Sequence, residues 1–392
     1  MNLAIITPIL DYETDNREIK NIIKLSEELF HQGVKITIFT TTAKSERTFE
    51  PEFKKGEFIY KGIDVLRFHS NIVKQYGNFR LFTRWLFSGL YSRRDEKNWH
   101  KQKGPIVPEL IKKAKELEDK FDIFLIYGKH SYLNYKIVKQ IKKRKLLFIM
   151  EKDPLVMGLD MFKETLELTD GTLFFTNHQQ NLFFRLFEFI KEKPSMIVPP
   201  VGDDKTRGGS VQNFKIKHKI NNPYILFTGS FSEEGGAARL LKYFLYYKKM
   251  NFANLDLVIM SKRGIPFLKD ESVKIIERFD LTDKYTAIKG SLFTVHPSAE
   301  DVSGYEIINS LKGGKPFIAD IRNENYLEYI LKTKAGLSYS SYFEFQEVLN
   351  LLSQDGEFRR KLSNRAQYVY RKTYKKDIII NVLKEYLEKI VK

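Results

Sequence analysis

Short unbroken apolar runs alternate along this chain with longer stretches in which apolar residues return every third or fourth position. A strand covered on both faces reads as the first kind, and a helix covering one face as the second. Residues 2–7 form the opening run. In residues 16–32 Ile19, Ile22, Ile23, Leu29 and Phe30 share one side, Gly33 ends the helix, and 34–41 is the next strand. This predicts a β-α-β opening. Further strands are predicted at 62–68, 121–127, 146–150, 171–175, 196–201, 224–229 and 255–260, with a lysine-rich helix over 132–145. Helical runs at 345–352, 358–371 and 378–391 close the chain.

The most informative stretch is 296–320, HPSAEDVSGYEIINSLKGGKPFIAD. It follows the apolar run 292–295 and ends in a second one, 316–319. Between them Tyr305, Ile308 and Leu311 recur at helical spacing, Ser303 stands where an N-cap would, and Gly313 and Gly314 suit a left-handed C-cap. Ser303 with Glu306 three residues on reads as a capping box. In an open parallel sheet a strand-loop-helix-strand unit of this kind puts its loop and helix N-terminus at the carboxyl edge, where ligands bind and free N–H groups favour an anion.

Pro297-Ser298, Asp301, Gly304, Gly314 and Pro316 resemble the donor-site segment of family 4 glycosyltransferases and their relatives. The resemblance extends to the strands at 33–41 and 62–68, to the proline-rich turn 196–204, and to the closing helices. It implies an α/β chain of the glycosyltransferase-B type, with two Rossmann-like doubly wound domains facing each other across a cleft. The domains implied are 1–203 on the acceptor side, a linker at 204–222, a nucleotide-sugar donor domain at 223–374, and a helix at 375–392 crossing back to the first domain. The sequence departs from the family at several charged positions. Asn309 stands at the second acidic position, Ser230 and Gly235 replace the Arg and Lys that hold the donor diphosphate, and the first turn, 10–16, has three acids where the family has two glycines.

What the resemblance implies is a glycosyltransferase moving a sugar from a nucleotide-diphosphate sugar to a glycan, lipid-linked or other acceptor, with retention. The alternative is a catalytically inactive relative serving as a partner subunit or sugar-binding protein. The candidate catalytic residues are Asp301, beside the sugar, and Glu151, at the strand end where the family has a histidine. The candidate donor-binding residues are Gly229, Ser230, Lys262, Arg263, Ser303, Gly304, Tyr305 and Asn309. In this set Lys262 and Arg263 meet phosphate, solvent-exposed cations of a basic chain being the other reading, and Asn309 meets ribose; Glu233 and Glu234, outside the set, read as partners of a helix dipole. Glu151 beside Lys152 also reads as a strand-end ion pair, and His130, a lone loop histidine, as a surface residue. No cofactor and no metal is expected.

Composition narrows the classes further. The 392 residues suit two cores and not one. A hydrophobic share of 42% marks a globular chain, and 66 Lys and Arg against 49 acids leave a net charge of +17 that attracts polyanions. Nucleic acid is not the expected partner, because no Cys/His module, RNA-binding strand signature or basic tail occurs. With no cysteine, disulfides and thiol chemistry are excluded. The opening run reads as a strand and not as a signal peptide, so the expected location is cytoplasmic. An anionic membrane surface remains a candidate partner through Asn78 to Arg94, which is rich in aromatics and carries Arg80, Arg84, Arg93 and Arg94. On that reading the chain sits peripherally on the inner face of the membrane; packing of the same helix against the core is the other reading.

Overall fold

The computed structural model describes the chain apart from residues 15, 47, 72–75, 90, 203–206, 232–234, 252, 263–269 and 300, and apart from the side chains of residues 76–78. Arg263, Glu233 and Glu234 therefore lie outside the described residues. The chain divides into two units, one of residues 1–175, 179–198 and 380–392, the other of 176–178 and 199–379.

The first unit is built on eight strands: β1 (Asn2–Ile6), β2 (Lys35–Thr41), β3 (Gly56–Tyr60), β4 (Ile63–Phe68), β5 (Ile123–Tyr127), β6 (Lys145–Phe148), β7 (Gly171–Phe174) and β8 (Ser195–Ile197). They lie in the order β3-β4-β2-β1-β5-β6-β7-β8, all parallel except β3, which pairs antiparallel with β4. The strand order reverses between β1 and β5. Helices α1 (Arg17–His31), α2 (Tyr76–Leu86), α3 (Arg93–Lys103), α4 (Pro108–Glu116), α5 (Tyr132–Gln140), α6 (Pro154–Met157), α7 (Asp160–Leu168) and α8 (Asn177–Leu186) connect them. Asn16 caps α1 by accepting the N–H groups of Glu18 and Ile19. The edge strand β3 is mostly exposed, with Ile59 at 73%, so it lacks the apolar run that reveals a buried strand.

The second sheet has β9 (Tyr224–Thr228), β10 (Asp256–Met260), β11 (Val273–Ile276), β12 (Thr294–His296), β13 (Phe317–Asp320) and β14 (Gly336–Tyr339) in the order β11-β10-β9-β12-β13-β14, all parallel. Its helices are α9 (Val211–Lys217), α10 (Ala237–Met250), α11 (Leu281–Gly290), α12 (Tyr305–Lys312), α13 (Glu324–Thr333), α14 (Tyr342–Gln354) and α15 (Gly356–Val369); the last helix, α16 (Lys376–Val391), belongs from residue 380 on to the first unit. Ile225 and Phe227 of β9 face a core that includes Leu240 and Phe244 of α10, whereas Tyr224 and Leu226 face one that includes Tyr285 and Ile288 of α11. Two covered faces require every strand position to be apolar, and this is why YILF reads without alternation. The order reverses between β9 and β12, the arrangement of a doubly wound nucleotide-type sheet.

Three readings of local structure change. Residues 204–222 contain α9, whose Phe214 is buried in the same core as Tyr224 and Tyr285. The N-cap of α12 is Gly304, in the left-handed region and without a side-chain cap, and not Ser303. The capping box is absent because Glu306, at 4% exposure, turns inward to Thr228, Lys284 and Asn309. At the other end of α12 the glycine reading holds. Gly314 is left-handed at φ 66°, and Lys315 N–H donates to Ser310 O across six residues, which closes a Schellman turn.

The aromatic helix α2 packs one side on the core, as one of its two readings expects, and leaves the other side exposed. Phe79 and Phe82, with Phe87 just beyond, pack on the first unit's core, and Thr83 accepts the indole N–H of Trp99 at 2.9 Å. On the other side Leu81 and Trp85 are 65% and 47% exposed, and Arg80 and Arg84 are exposed beside them. Among the described residues no helix is long and apolar enough to cross a membrane.

Candidate functional site

The reversal between β9 and β12 brings the residues after both strands to one crevice of the second unit. Gly229 and Ser230 follow β9; Gly229 N–H donates to Met260 O, and Phe231 N–H donates to the hydroxyl of Ser261 after β10. Ser230 is exposed. This turn leads into α10, whose N-cap is Gly236 at φ 69° with no side-chain cap. A Cβ at Gly236 would lie 2.1 Å from the carbonyl oxygen of Pro297, so the helix tip and the loop after β12 touch through bare backbone. Gly304, at the tip of α12, is equally constrained: a Cβ there would lie 2.1 Å from the ring of Tyr329. Two helix N-termini with glycine caps thus flank the reversal point.

Asp301 organises the loop between β12 and α12. Its Oδ1 accepts the Ser303 N–H at 2.9 Å, the Ser303 hydroxyl at 2.8 Å and the Gly304 N–H at 3.3 Å, while Oδ2 accepts the Tyr326 hydroxyl at 3.0 Å. Asn323 donates to the carbonyls of Ser298 and Asp301 and ties the loop to the start of α13. The Ser303 hydroxyl reaches the Tyr305 N–H at 3.3 Å, one residue into the helix. Asp301, Ser303, Gly304 and Tyr305 are therefore brought together, with the carboxylate fixed in place by its neighbours.

Asn309 does not join them. It is 2% exposed, its Oδ1 accepts the Tyr285 hydroxyl at 3.1 Å, and its Nδ2 donates to Glu306. The amide oxygen assigned to a ribose hydroxyl is bonded within the fold. The Glu306 carboxylate also accepts the Thr228 hydroxyl at 2.8 Å and lies 2.8 Å from Lys284 Nζ. Nothing in the local sequence marks Lys284 as its partner, since the two residues meet only through the packing of α11 on α12. Lys262 is exposed after β10, with its ammonium 5.4 Å from the ring centroid of Phe279.

A second charged group at this edge also escaped the sequence reading. Asp320, at the end of β13, is fully buried and accepts hydrogen bonds from Arg239 of α10 and from Nε and a terminal nitrogen of Arg322. Arg239 also donates to Pro297 O at 3.0 Å. Burial pushes the Asp320 carboxyl up to about 6, with Arg239 pulling the other way. The available signal was the abrupt acid at the end of the apolar run 316–319.

In the first unit Glu151 lies just past β6 and is 5% exposed. Its Oε1 accepts the N–H groups of Lys152 and Asp153 at 3.2 Å, and its Oε2 faces Lys103 Nζ at 3.7 Å. The cation beside it comes from α3, 48 positions away in sequence, a partner that no local reading supplies. His130, expected at the surface, is 5% exposed and packs edge-on to Phe162.

No family model and no curated protein matches the chain by sequence. Solved structures do match, over nearly the whole of both chains. Sucrose-phosphate synthase from Thermosynechococcus elongatus is 13% identical, with a TM-score of 0.69 over 99% of this chain and 98% of that one. A glycosyltransferase from Rickettsia africae is 12% identical at 0.69, covering 100% and 98%. Anabaena HepE, solved in complex with UDP and glucose, is 11% identical at 0.68, covering 98% and 99%.

Proposed function

The chain has the glycosyltransferase-B fold, and from that premise we propose that it is a glycosyltransferase that takes a nucleotide-diphosphate sugar at the carboxyl edge of its second sheet. The observation that carries this reading is the pair of glycine-capped helix tips, Gly236 and Gly304, on either side of the β9/β12 reversal. Backbone N–H groups at such tips favour the developing negative charge of a leaving diphosphate, and the bare backbone lets phosphate oxygens approach. Lys262, and Arg263 next to it in sequence, supply the cations that Ser230 and Gly235 do not. Asp301 supplies the negative charge beside the anomeric carbon, where positive charge develops, and its bonds to Ser303, Gly304 and Tyr326 hold that charge without reorganisation. Transfer with retention to a glycan or lipid-linked hydroxyl is the reaction class this arrangement suits, and the solved complexes of HepE with UDP and with UDP-glucose support a uridine donor.

Calorimetric titration with UDP-glucose, other uridine diphosphate sugars and guanosine diphosphate sugars tests the reading. At least one donor is expected to bind below millimolar concentration. Lys262→Ala with Arg263→Ala is expected to weaken it about a hundredfold or more, because two charge-assisted contacts of about 1.5–3 kcal/mol each are removed. Failure of every donor to bind removes the donor site. A donor that binds and is never turned over, by any acceptor or by water, selects the non-catalytic partner role instead.

A further inference from the structure

On the first unit α4 and α5 pack side by side, and a groove of about 510 Å³ lies between them. Two facing stripes form its walls. On α4 Pro108, Ile111 and Lys115 recur at three- and four-residue spacing, and on α5 Tyr132 and Lys136 stand one turn apart, so each set shares a helix side. Ile106, two residues before α4, joins the lining near Tyr132, whose N–H donates to Gly104 O. The groove surface is mostly apolar, yet Ile106 and Tyr132 are only half-buried and Pro108 is exposed, so this carbon meets water. Lys115 is exposed and Lys136 half-buried, and among the described residues neither pairs with an acid. Glu116, the acid of the lining, already lies 3.9 Å from Lys112 and 4.0 Å from Lys113. Lysine stems lengthen an apolar wall of this kind while their ammonium heads stay at its wet rim.

Size and charge together decide the occupant. A stable protein partner needs about 800 Å² and about 20–30 residues on each side, whereas nine residues line this groove. Its volume falls instead within the range of small-molecule pockets, about 300–1,000 Å³. Two unpaired ammonium groups with a glutamate close by favour a single negative charge; a polyphosphate would meet the Glu116 carboxylate as well. An apolar floor under those cations asks for a ligand that is mostly hydrocarbon. We propose that the groove between α4 and α5 binds a medium-chain fatty carboxylate, its chain against Ile106, Pro108, Ile111 and Tyr132 and its carboxylate between Lys115 and Lys136. None of these residues belongs to the sites described above, so the assignment stands or falls apart from the transferase reading.

Calorimetric titration of the full-length chain, without nucleotide sugar, tests it with hexanoate, octanoate and decanoate below their micelle concentrations. One-to-one saturable binding is expected, tightening about fourfold with each added methylene as apolar surface leaves water. Acetate, which carries the charge alone, should give no measurable heat, and octan-1-ol, which carries the chain alone, should bind at least tenfold more weakly than octanoate. Lys115→Gln with Lys136→Gln is expected to weaken octanoate at least tenfold and leave octan-1-ol unchanged, with urea unfolding midpoints confirming that the variant is folded. Equal affinities for octanoate and octan-1-ol overturn the proposal, as does octanoate binding that the double variant leaves intact or that never saturates. Tighter binding of a short amphipathic peptide of Glu and Leu, lost in the same variant, overturns it in favour of a protein partner.

Discussion

At the residue scale, the buried histidines turn burial into a measurable pH dependence. His100 and His130 are neutral in the folded chain and titrate near 6.5 once exposed, so the unfolded state binds more protons below that pH. Depressed folded values contribute stability that is present above 6.5 and lost as the pH falls. Each ring is expected to cost about 1.4 kcal/mol per pH unit in that range. Urea unfolding of the first unit, measured at a series of pH values, should show this slope, and His100→Phe should reduce it by about half. Asp320 in the second unit works in the opposite sense. Its raised folded value makes ionisation destabilising, so its contribution declines as pH rises from 3.8 to about 6. Neither effect was legible in the sequence, since a histidine after a strand and an acid after a strand look alike whether the surrounding helices cover them or not.

At the scale of an element, α12 shows how closely a helix tip is specified. Gly304 combines a left-handed backbone with an approach to Tyr329, and that ring is anchored by its hydroxyl, which donates to Ser303 O at 2.8 Å. The ring therefore cannot swing away from an added methyl group. Gly304→Ala is expected to destabilise the second unit by about 2–4 kcal/mol, from left-handed strain plus overpacking. In a double-mutant cycle of urea unfolding free energies, Tyr329→Ala should recover the overpacking share and leave the strain. The helix itself was evident from Tyr305, Ile308 and Leu311, and its glycine stop from Gly313-Gly314. Its start was misplaced by one residue because Ser303 and Glu306 carry the composition of a capping box, while packing against Thr228 and Lys284 claims the Glu306 carboxylate.

For the whole molecule, the net charge of +17 and the outward side of α2 lead to one expectation. Exposed Leu81 and Trp85 beside exposed Arg80 and Arg84 form a surface that an anionic bilayer would take, with the apolar groups entering the interface and the cations meeting headgroups. Co-sedimentation with phosphatidylserine vesicles at low salt is expected. Arg80→Glu with Arg84→Glu should abolish it, whereas Lys112→Glu with Lys113→Glu on α4, which removes the same charge, should only weaken it. Equal losses from the two pairs would reduce the attraction to net charge alone.

The apolar runs by themselves determined most of the strands of two parallel sheets. They could do so because a strand covered on both faces must be apolar at every position, and this constraint is local and visible. They also determined the strand-loop-helix unit at 296–320 and, through its glycines, the places where backbone passes close to backbone. The exposed edge strand β3 was hidden for the converse reason. Only the tertiary structure decided where charge lies within each unit. The pairs Lys103 with Glu151, Lys284 with Glu306 and Arg239 with Asp320 join residues 22 to 81 positions apart. Whether a carboxylate faces a ligand, a helix tip or a buried lysine depends on which helix packs across the strand ends, a property of the assembled layers and not of any segment.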